Sequence, residues 1–446
     1  MYNNTPVKWV PTLYFMEALP YVAVNVISVI MYKEMGLTNT QLALYTSWMY
    51  LPWVIKPIWS PIVDSLASER KWILSTQFIC GVALAGIALT LPTTFWLQAS
   101  IAFFWLLAFG SATHDIAADG YYIIALDSNN QAKWVGIRST FYRVGMIFGQ
   151  GVLVMLAGWL KHGAPIGDNK IMSSDLDTEN AWSVTFYVIA AIVLLLMLYH
   201  RFVLKKTDKV SDSEAIQDNH KSGFFKKTLK DFAKTFRIFF TKKNVWAALL
   251  FMLLFRFPEA QLVKIAQPFM IDSLDNGGMG LSTEFVGFIY GTIGVIGLLL
   301  GGIAGGFLVA KDGLKYWLWP MVIAISIPDA VYVYLSYTQT TNSWLIGSCV
   351  FIEQLGYGFG FTAYMMYLIY YARGEHSTSV YALCTAFMAL GMMLPGMVAG
   401  WISDILGYKL FFIWIMIACV VTFIVTAFLN IDPNFGKKTE KNVNNS

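Results

Sequence analysis

The stretch Phe109–Leu126, FGSATHDIAADGYYIIAL, places charge inside one of the longest apolar runs of this sequence. His114, Asp115 and Asp119 stand where a hydrocarbon environment would favour apolar side chains. Asp115 and Asp119 are four residues apart, so on an α-helix they lie on one face, one turn apart. A charged residue at bilayer depth is costly and normally faces a helix-bundle interior or a water-filled path. The pattern therefore indicates a membrane helix that carries a functional site.

Composition places the chain among the polytopic membrane proteins. Of its 446 residues, 57% are hydrophobic and only 13% are charged, which is about half the charged share of an ordinary soluble domain. The first apolar run carries Glu17 and lacks a basic region followed by a small-residue cleavage site, so we expect a retained span. The four cysteines fall within apolar runs and lack the spacing of a metal site. We expect no metal and no cofactor.

The hydropathy pattern predicts an all-α protein with two sets of six membrane spans. Each helical crossing needs roughly twenty apolar residues, and by that measure the sequence contains about twelve spans. They run near Trp9–Met31, Gln41–Val63, Trp72–Leu91, Phe95–Leu126, Trp134–Leu160, Ala181–Val203, Val245–Ile271, Glu284–Ala310, Tyr316–Tyr337, Ser343–Tyr371, Ser379–Trp401 and Leu410–Leu429.

One long polar segment separates the two sets of spans and fixes the predicted topology. It contains ten lysines, and cytoplasmic loops carry the excess of Lys and Arg, so we place it inside. With an even number of spans, both termini are then cytoplasmic. We predict an N-terminal six-helix half at 1–203, a basic cytoplasmic linker at 204–243, a C-terminal six-helix half at 244–430 and a cytoplasmic tail at 431–446.

Two six-helix halves joined by a long cytoplasmic loop are the architecture of the major facilitator fold, whose halves rock about a central site. A weak internal repeat agrees with it, since Ala157–Leu160 (AGWL) and Ala399–Ile402 (AGWI) close corresponding spans of the two halves. The sequence contains no GxxxxGK[ST] phosphate loop, HExxH motif or nucleophile elbow. These observations favour a carrier and disfavour an ATP-driven pump or an enzyme, and we expect no nucleic-acid partner.

Several segments occur in both halves in the order typical of one family of carriers. They are Ile55–Pro61 (IKPIWSP) with Asp64, Ser111–Ile116 (SATHDI) with Asp119, Tyr142–Met146 (YRVGM), Arg256–Ala260 (RFPEA), Glu353 and Pro395–Trp401 (PGMVAGW). Together they resemble the AmpG-type muropeptide permeases. The sequence departs from that family at Glu17, where a small residue is commoner, and at His114, where a glutamine is commoner.

The resemblance implies a proton-driven symporter in a bacterial inner membrane. Its cargo would be cell-wall fragments, N-acetylglucosaminyl-anhydromuramoyl peptides, carried from periplasm to cytoplasm during peptidoglycan recycling. One alternative is a carrier of another solute, such as an oligosaccharide, a siderophore or a drug, because a fold does not fix a cargo. A second alternative is a membrane receptor that binds such fragments without moving them. We expect a monomer whose partners are a sugar or sugar-peptide, protons and the bilayer.

Charged residues within the predicted spans are the candidates for proton coupling or ion pairing. Asp115 and Asp119 either take part in transport, with one of them carrying the proton, or form a static salt bridge to Arg143 on the next helix. Glu17 and Glu353 have no obvious local partner in sequence, so both are coupling candidates.

Other residues are candidates for a gate or a substrate cavity. Arg256 and Glu259 are three residues apart, so they form an intrahelical pair or act at a gate or in coupling. Asp64 and Arg70 are predicted to close a cytoplasmic gate, and Lys56 to extend toward the lipid headgroups. His114, Tyr121, Tyr122, Tyr357 and Tyr364 either line the substrate cavity, where flat rings stack on sugars, or pack between helices.

Overall fold

A computed structural model describes residues 6–163, 165–166, 169–170, 176–205, 234–374 and 377–437. Among these residues the regular structure is helical, apart from a hairpin of two short strands, β1 (Pro165–Ile166) and β2 (Asn169–Lys170). The prediction of an all-α membrane protein is confirmed. Most of the predicted linker and tail, at 206–233 and 438–446, lies outside the described residues, and the predicted domain boundaries stay predictions.

The chain divides into two compact units, of which unit 1 comprises Met1–Lys234 together with Leu281–Gly291. Its main helices are α1 (Pro6–Glu34), α2 (Asn39–Trp48), α3 (Leu51–Leu66), α4 (Glu69–Thr90), α5 (Trp96–Ala125), α6 (Ser128–Ile147), α7 (Val154–His162) and α8 (Thr178–Val203). Helix α1 packs against α5 and α6, and α3 packs against α5. Four helices therefore meet around the charged stretch of α5.

Unit 2 comprises Thr235–Gly280 and Thr292–Ser446. In chain order the remaining helices are α9 (Val245–Leu254), α10 (Phe257–Ile271), α11 (Thr283–Phe288), α12 (Val295–Asp312), α13 (Leu314–Ser326), α14 (Ala330–Thr338), α15 (Ser343–Ala372) and α16 (Ser377–Ala427). Of these, α11 falls in unit 1 and the others in unit 2. Helix α10 packs along α16, and α13 packs along α15.

Local sequence accounts for where several helices begin. Thr38 and Gln41 form a reciprocal capping box at the start of α2, in which each side chain accepts a hydrogen bond from the other residue's backbone N–H. Asp127 caps α6 by accepting from the Asn130 N–H at 2.9 Å, and Asp177 caps α8. Side-chain oxygens at these positions satisfy backbone donors that a helix start leaves without partners.

Two interruptions shape the helices of unit 2. Gly407 has φ of +69° inside α16, a conformation that glycine adopts without steric cost. It lies between the two predicted spans Ser379–Trp401 and Leu410–Leu429, which α16 joins into one long segment. A 3₁₀ turn at Ile327–Asp329 separates α13 from α14, and Pro328 removes a backbone donor there. Asp329 is the last residue of this turn, and its side chain is buried.

Nine helices in the described residues are long and apolar enough to cross a membrane. The predicted second span coincides with α2 and α3, and the predicted tenth with α15, which are not among those nine. One of the nine, Val380–Ala427, contains the break at Gly407. The polytopic character is therefore confirmed, whereas the count of twelve remains a prediction.

Candidate functional site

Three carboxyl groups lie together in unit 1, where α1 meets α5. Glu17 comes from α1 and Asp115 and Asp119 from α5, and one oxygen of each lies within 4.8 Å of the other two. The side chains of Asp115 and Asp119 are 24% and 38% exposed, whereas Glu17 is 8% exposed. The cluster is thus buried on its α1 side and accessible on the other. We call these three residues the first acidic cluster.

Two basic side chains supply positive charge to the first acidic cluster. Lys56 on α3 forms an ion pair with Asp115. Arg138 on α6 forms one with Asp119, with Nη2 2.5 Å from Oδ1. The Tyr14 hydroxyl also donates to Asp119 Oδ1 at 3.3 Å.

These pairs correct two expectations from the sequence. Lys56 does not extend to the headgroups, because the packing of α3 against α5 brings its amine to Asp115. The cation paired with Asp119 is Arg138 and not Arg143, which is exposed and forms no ion pair among the described residues. The two arginines are five residues apart, so about 140° of helix rotation separates their side chains and only one faces the cluster.

One carboxyl oxygen of Glu17 lies within 4.8 Å of one of Asp115. Two carboxylates this close repel each other when both are ionised, which favours a proton on one of them. Three carboxylates face two cationic side chains, and a single proton therefore neutralises the whole group. The arrangement is suited to holding one exchangeable proton.

A cavity of about 430 Å³ opens beside the first acidic cluster. It is lined by Tyr14, Glu17, Asp115, Arg138, Ser139 and Tyr142. Its volume falls within the range of small-molecule sites. The Arg138 guanidinium lies 4.4 Å from the centroid of the Tyr14 ring, so a cation, two acids and aromatic surface face the same space. Tyr14, Arg138 and Tyr142 were missed as cavity residues, although all three fall in or beside predicted spans.

His114 lies away from this cavity, in a buried polar network between helices. Its Nε2 hydrogen-bonds the Gln77 side-chain amide at 3.0 Å. The Gln77 carbonyl accepts from His200 Nδ1 at 3.1 Å, and His200 Nε2 hydrogen-bonds Thr12. The structure therefore favours the interhelical packing role of His114 over the substrate-cavity role.

Three of the four candidate cavity tyrosines are packing residues. The Tyr121 and Tyr122 hydroxyls donate to the backbone carbonyls of Lys205 and Gln131, at 3.2 and 2.6 Å. Tyr364 is fully buried and donates to the Met252 carbonyl. Buried tyrosines commonly satisfy their hydroxyls in this way, and none of the three lines the cavity in unit 1.

The predicted cytoplasmic gate is described only in part. The side chain of Asp64 lies outside the described part of the chain. Arg70 donates from Nε to the Leu204 carbonyl and from Nη2 to the Arg201 carbonyl, both at 2.7 Å. These bonds satisfy carbonyls at the C-terminal end of α8, which have no partner within the helix. Arg70 thus acts as a helix cap.

A second group of three carboxyls lies in unit 2: Glu259 from α10, Asp329 from the break between α13 and α14, and Glu353 from α15. One oxygen of each lies within 4.8 Å of the others, and the residues are only 2%, 2% and 3% exposed. We call this the second acidic cluster. Sequence reasoning selected Glu259 and Glu353 and missed Asp329, although an acid after Pro328 inside an apolar span was a visible signal.

Arg256 does not form the predicted intrahelical pair with Glu259. Arg256 is the residue before the first residue of α10, and both carboxylate oxygens of Glu259 have no hydrogen-bond partner among the described residues. The guanidinium donates to the Tyr357 hydroxyl at 2.5 Å and lies 4.9 Å from the Phe361 ring centroid. Tyr357 therefore contacts a charged side chain through its hydroxyl.

Comparison with known proteins identifies relatives for most of the chain. Residues 12–395 match the family model of the Major Facilitator Superfamily. The anhydromuropeptide permease of Escherichia coli is 26% identical over 376 residues, covering 82% of this chain and 68% of that protein. A putative transporter AmpG 4 of Rickettsia conorii is 23% identical and covers 94% of this chain and 95% of that protein. The resemblance to AmpG-type permeases is confirmed.

Solved structures show the same fold at low sequence identity. The nucleoside transporter NupG has a TM-score of 0.66 and 15% identity, covering 97% of this chain and 100% of that chain. A D-xylose–proton symporter has a TM-score of 0.66 and 11% identity, covering 95% and 99%. At such identities the likeness concerns the fold alone.

Proposed function

Because the chain belongs to the Major Facilitator Superfamily, we propose that it is a proton-coupled importer of muropeptides or related amino-sugar fragments. Its relatives include an anhydromuropeptide permease, which supports this cargo. We place it in a bacterial inner membrane as a monomer with both termini cytoplasmic. The observation that carries the proposal is the first acidic cluster, in which three carboxyl groups lie together beside a cavity and face two cationic side chains.

The cluster offers a direct way to couple a proton to an acidic cargo. Peptide carboxylates of the cargo would compete with Asp119 for Arg138, whose side chain lines the cavity. When Arg138 turns to the cargo, Asp119 loses its neighbouring positive charge, and protonation then neutralises it. Cargo binding and proton binding would therefore favour each other, which is the requirement for symport.

Aromatic surface supports the sugar part of the proposal. The rings of Tyr14 and Tyr142 line the same cavity as Arg138. Flat apolar faces beside a few polar groups are typical of sites for small organic ligands. In this arrangement the rings would contact sugar faces while Arg138 attracts acidic groups.

Uptake of labelled anhydromuropeptide into proteoliposomes of determined protein orientation tests the proposal. We expect an inward proton gradient to stimulate accumulation and an uncoupler to abolish it. Glu179→Gln, which neutralises an exposed acid in the first turn of α8, is the matched control and should transport normally. Binding without accumulation would instead identify a receptor, and accumulation of only another sugar or peptide would reassign the cargo.

A further inference from the structure

The second acidic cluster differs from the first in how its charge is compensated. In unit 1, Lys56 and Arg138 form ion pairs with the two aspartates. In unit 2, none of the ion pairs among the described residues involves Glu259, Asp329 or Glu353. Three acids in a nearly solvent-free site therefore have no ion-paired cation in the described part of the chain, in contrast to the first cluster.

Glu259 is the part of this cluster that most needs a ligand. Both of its carboxylate oxygens are buried and have no hydrogen-bond partner among the described residues. The Ser326 hydroxyl, three residues before Asp329, is also buried without a partner. Buried polar groups are normally satisfied, and a buried carboxylate that makes no hydrogen bond is costly. These oxygens identify a position where a bound group would find ligands.

The remaining polar groups around the cluster hold two of its acids in place. The Tyr332 hydroxyl donates to Glu353 Oε2 at 3.2 Å, and the Gln354 amide donates to both Glu353 oxygens at 3.1 and 2.9 Å. Cys419 Sγ lies 3.8 Å from Asp329 Oδ2. Arg256 acts on Glu259 through its charge. Such outer contacts orient carboxylates in the way that supports a metal ligand.

We propose that Glu259, Asp329 and Glu353 form a binding site for a hard metal cation, Na⁺ or Ca²⁺. For three oxygens that lie within 4.8 Å of one another there is a position no more than about 2.8 Å from each, close to the 2.3–2.6 Å of calcium–oxygen contacts. All three ligands are oxygens, which hard cations prefer. Mg²⁺ fits less well because it demands near-ideal octahedral geometry at about 2.0–2.1 Å and loses its waters reluctantly.

An ion at this site would bring positive charge into unit 2, separately from the first acidic cluster in unit 1. The ion would join α10, α15 and the break between α13 and α14, three segments distant in sequence. Binding to the folded state alone stabilises that state, and the stabilisation grows with the logarithm of ion concentration once that concentration exceeds the dissociation constant. The ion would therefore stabilise unit 2 without contacting Asp115 or Asp119.

The test is thermal unfolding of the purified full-length protein in NaCl, CaCl₂, MgCl₂ and choline chloride at constant ionic strength. We expect a rise of several degrees with Na⁺ or Ca²⁺ over choline that grows with the logarithm of ion concentration, with the effective salt identifying the ion. Asp329→Asn should raise the ion concentration needed for the same rise at least tenfold. Glu179→Gln, an exposed acid in unit 1, should leave it unchanged.

Equilibrium dialysis of the wild-type protein with ²²Na⁺ and ⁴⁵Ca²⁺ gives an answer even if Asp329→Asn fails to fold, and Glu259→Gln provides a second variant. Equal unfolding temperatures in all four salts and no bound isotope would overturn the proposal. So would a cation effect that survives in both variants. Because these measurements use neither muropeptide nor a proton gradient, their outcome is independent of the proposed transport function.

Discussion

The ion pair between Lys56 and Asp115 yields a sharp prediction for a double-mutant cycle. Two unit charges about 4 Å apart at an effective dielectric constant near 20 interact by about 4 kcal/mol. The side chains are 28% and 24% exposed, so solvent screening reduces this to about 2 kcal/mol. We expect Lys56→Met and Asp115→Asn each to destabilise the protein, and the double variant to regain about 2 kcal/mol relative to the sum of the single effects.

The assay is chemical unfolding of purified protein in detergent, with unfolding temperatures as a second readout. Arg143→Met combined with Asp115→Asn is the matched control cycle, because Arg143 was the partner suggested by sequence and is exposed in the structure. We expect that cycle to be additive within about 0.5 kcal/mol. Additive effects for Lys56 with Asp115, or coupling of Arg143 with Asp115, would refute the pairing described here.

Three further predictions concern Arg138, Arg70 and His114. Arg138→Met should raise the half-saturating cargo concentration in the uptake assay about 30-fold or more, since truncating a hydrogen-bonded charge pair costs about 2 kcal/mol or more. Arg138→Lys keeps the charge but not the planar guanidinium, so we expect an intermediate half-saturating concentration. Equal values for the two variants would exclude a charge contact between Arg138 and the cargo. Arg70→Ala removes two hydrogen bonds to backbone carbonyls, so it should lower the free energy of unfolding by about 1–3 kcal/mol while gradient-driven uptake persists. Loss of uptake in stably folded protein would instead support a role of Arg70 in a gate. His114→Leu removes the buried partner of the Gln77 side-chain nitrogen and should destabilise the protein by about 1–3 kcal/mol with an unchanged half-saturating cargo concentration. A large rise in that concentration would instead support a role of His114 in the cavity.

The fold follows from the sequence because hydropathy and lysine distribution are local properties of the chain. A run of about twenty apolar residues predicts a span whatever its neighbours are. The same holds for the charged stretch of α5, since Asp115 and Asp119 are costly in hydrocarbon and four residues apart. Both features can be recognised without knowing which helices meet.

The partners of these acids could not be predicted from the sequence because they depend on helix rotation and packing. Arg138 and Arg143 are equally plausible in sequence, and only the rotation of α6 decides between them. Lys56 required the contact between α3 and α5. Asp329 required the helix break that places it beside Glu259.

The roles of the candidate tyrosines also could not be predicted from the sequence. A tyrosine in an apolar span can line a cavity or donate to a neighbouring carbonyl, and the sequence is the same in both cases. Tyr121 and Tyr364 donate to carbonyls of distant residues, whereas Tyr14 and Tyr142 line the cavity. Tertiary contacts alone separate the two groups.

We propose that the first acidic cluster couples proton movement to cargo uptake. The most direct measurement compares gradient-driven accumulation with cargo exchange at equal pH in Asp115→Asn and Asp119→Asn proteoliposomes. Exchange needs cargo binding and the conformational change, whereas accumulation also needs the proton. We predict that stably folded variants retain exchange and lose accumulation, with Glu179→Gln normal in both assays. Accumulation at the wild-type level by both aspartate variants would contradict the account.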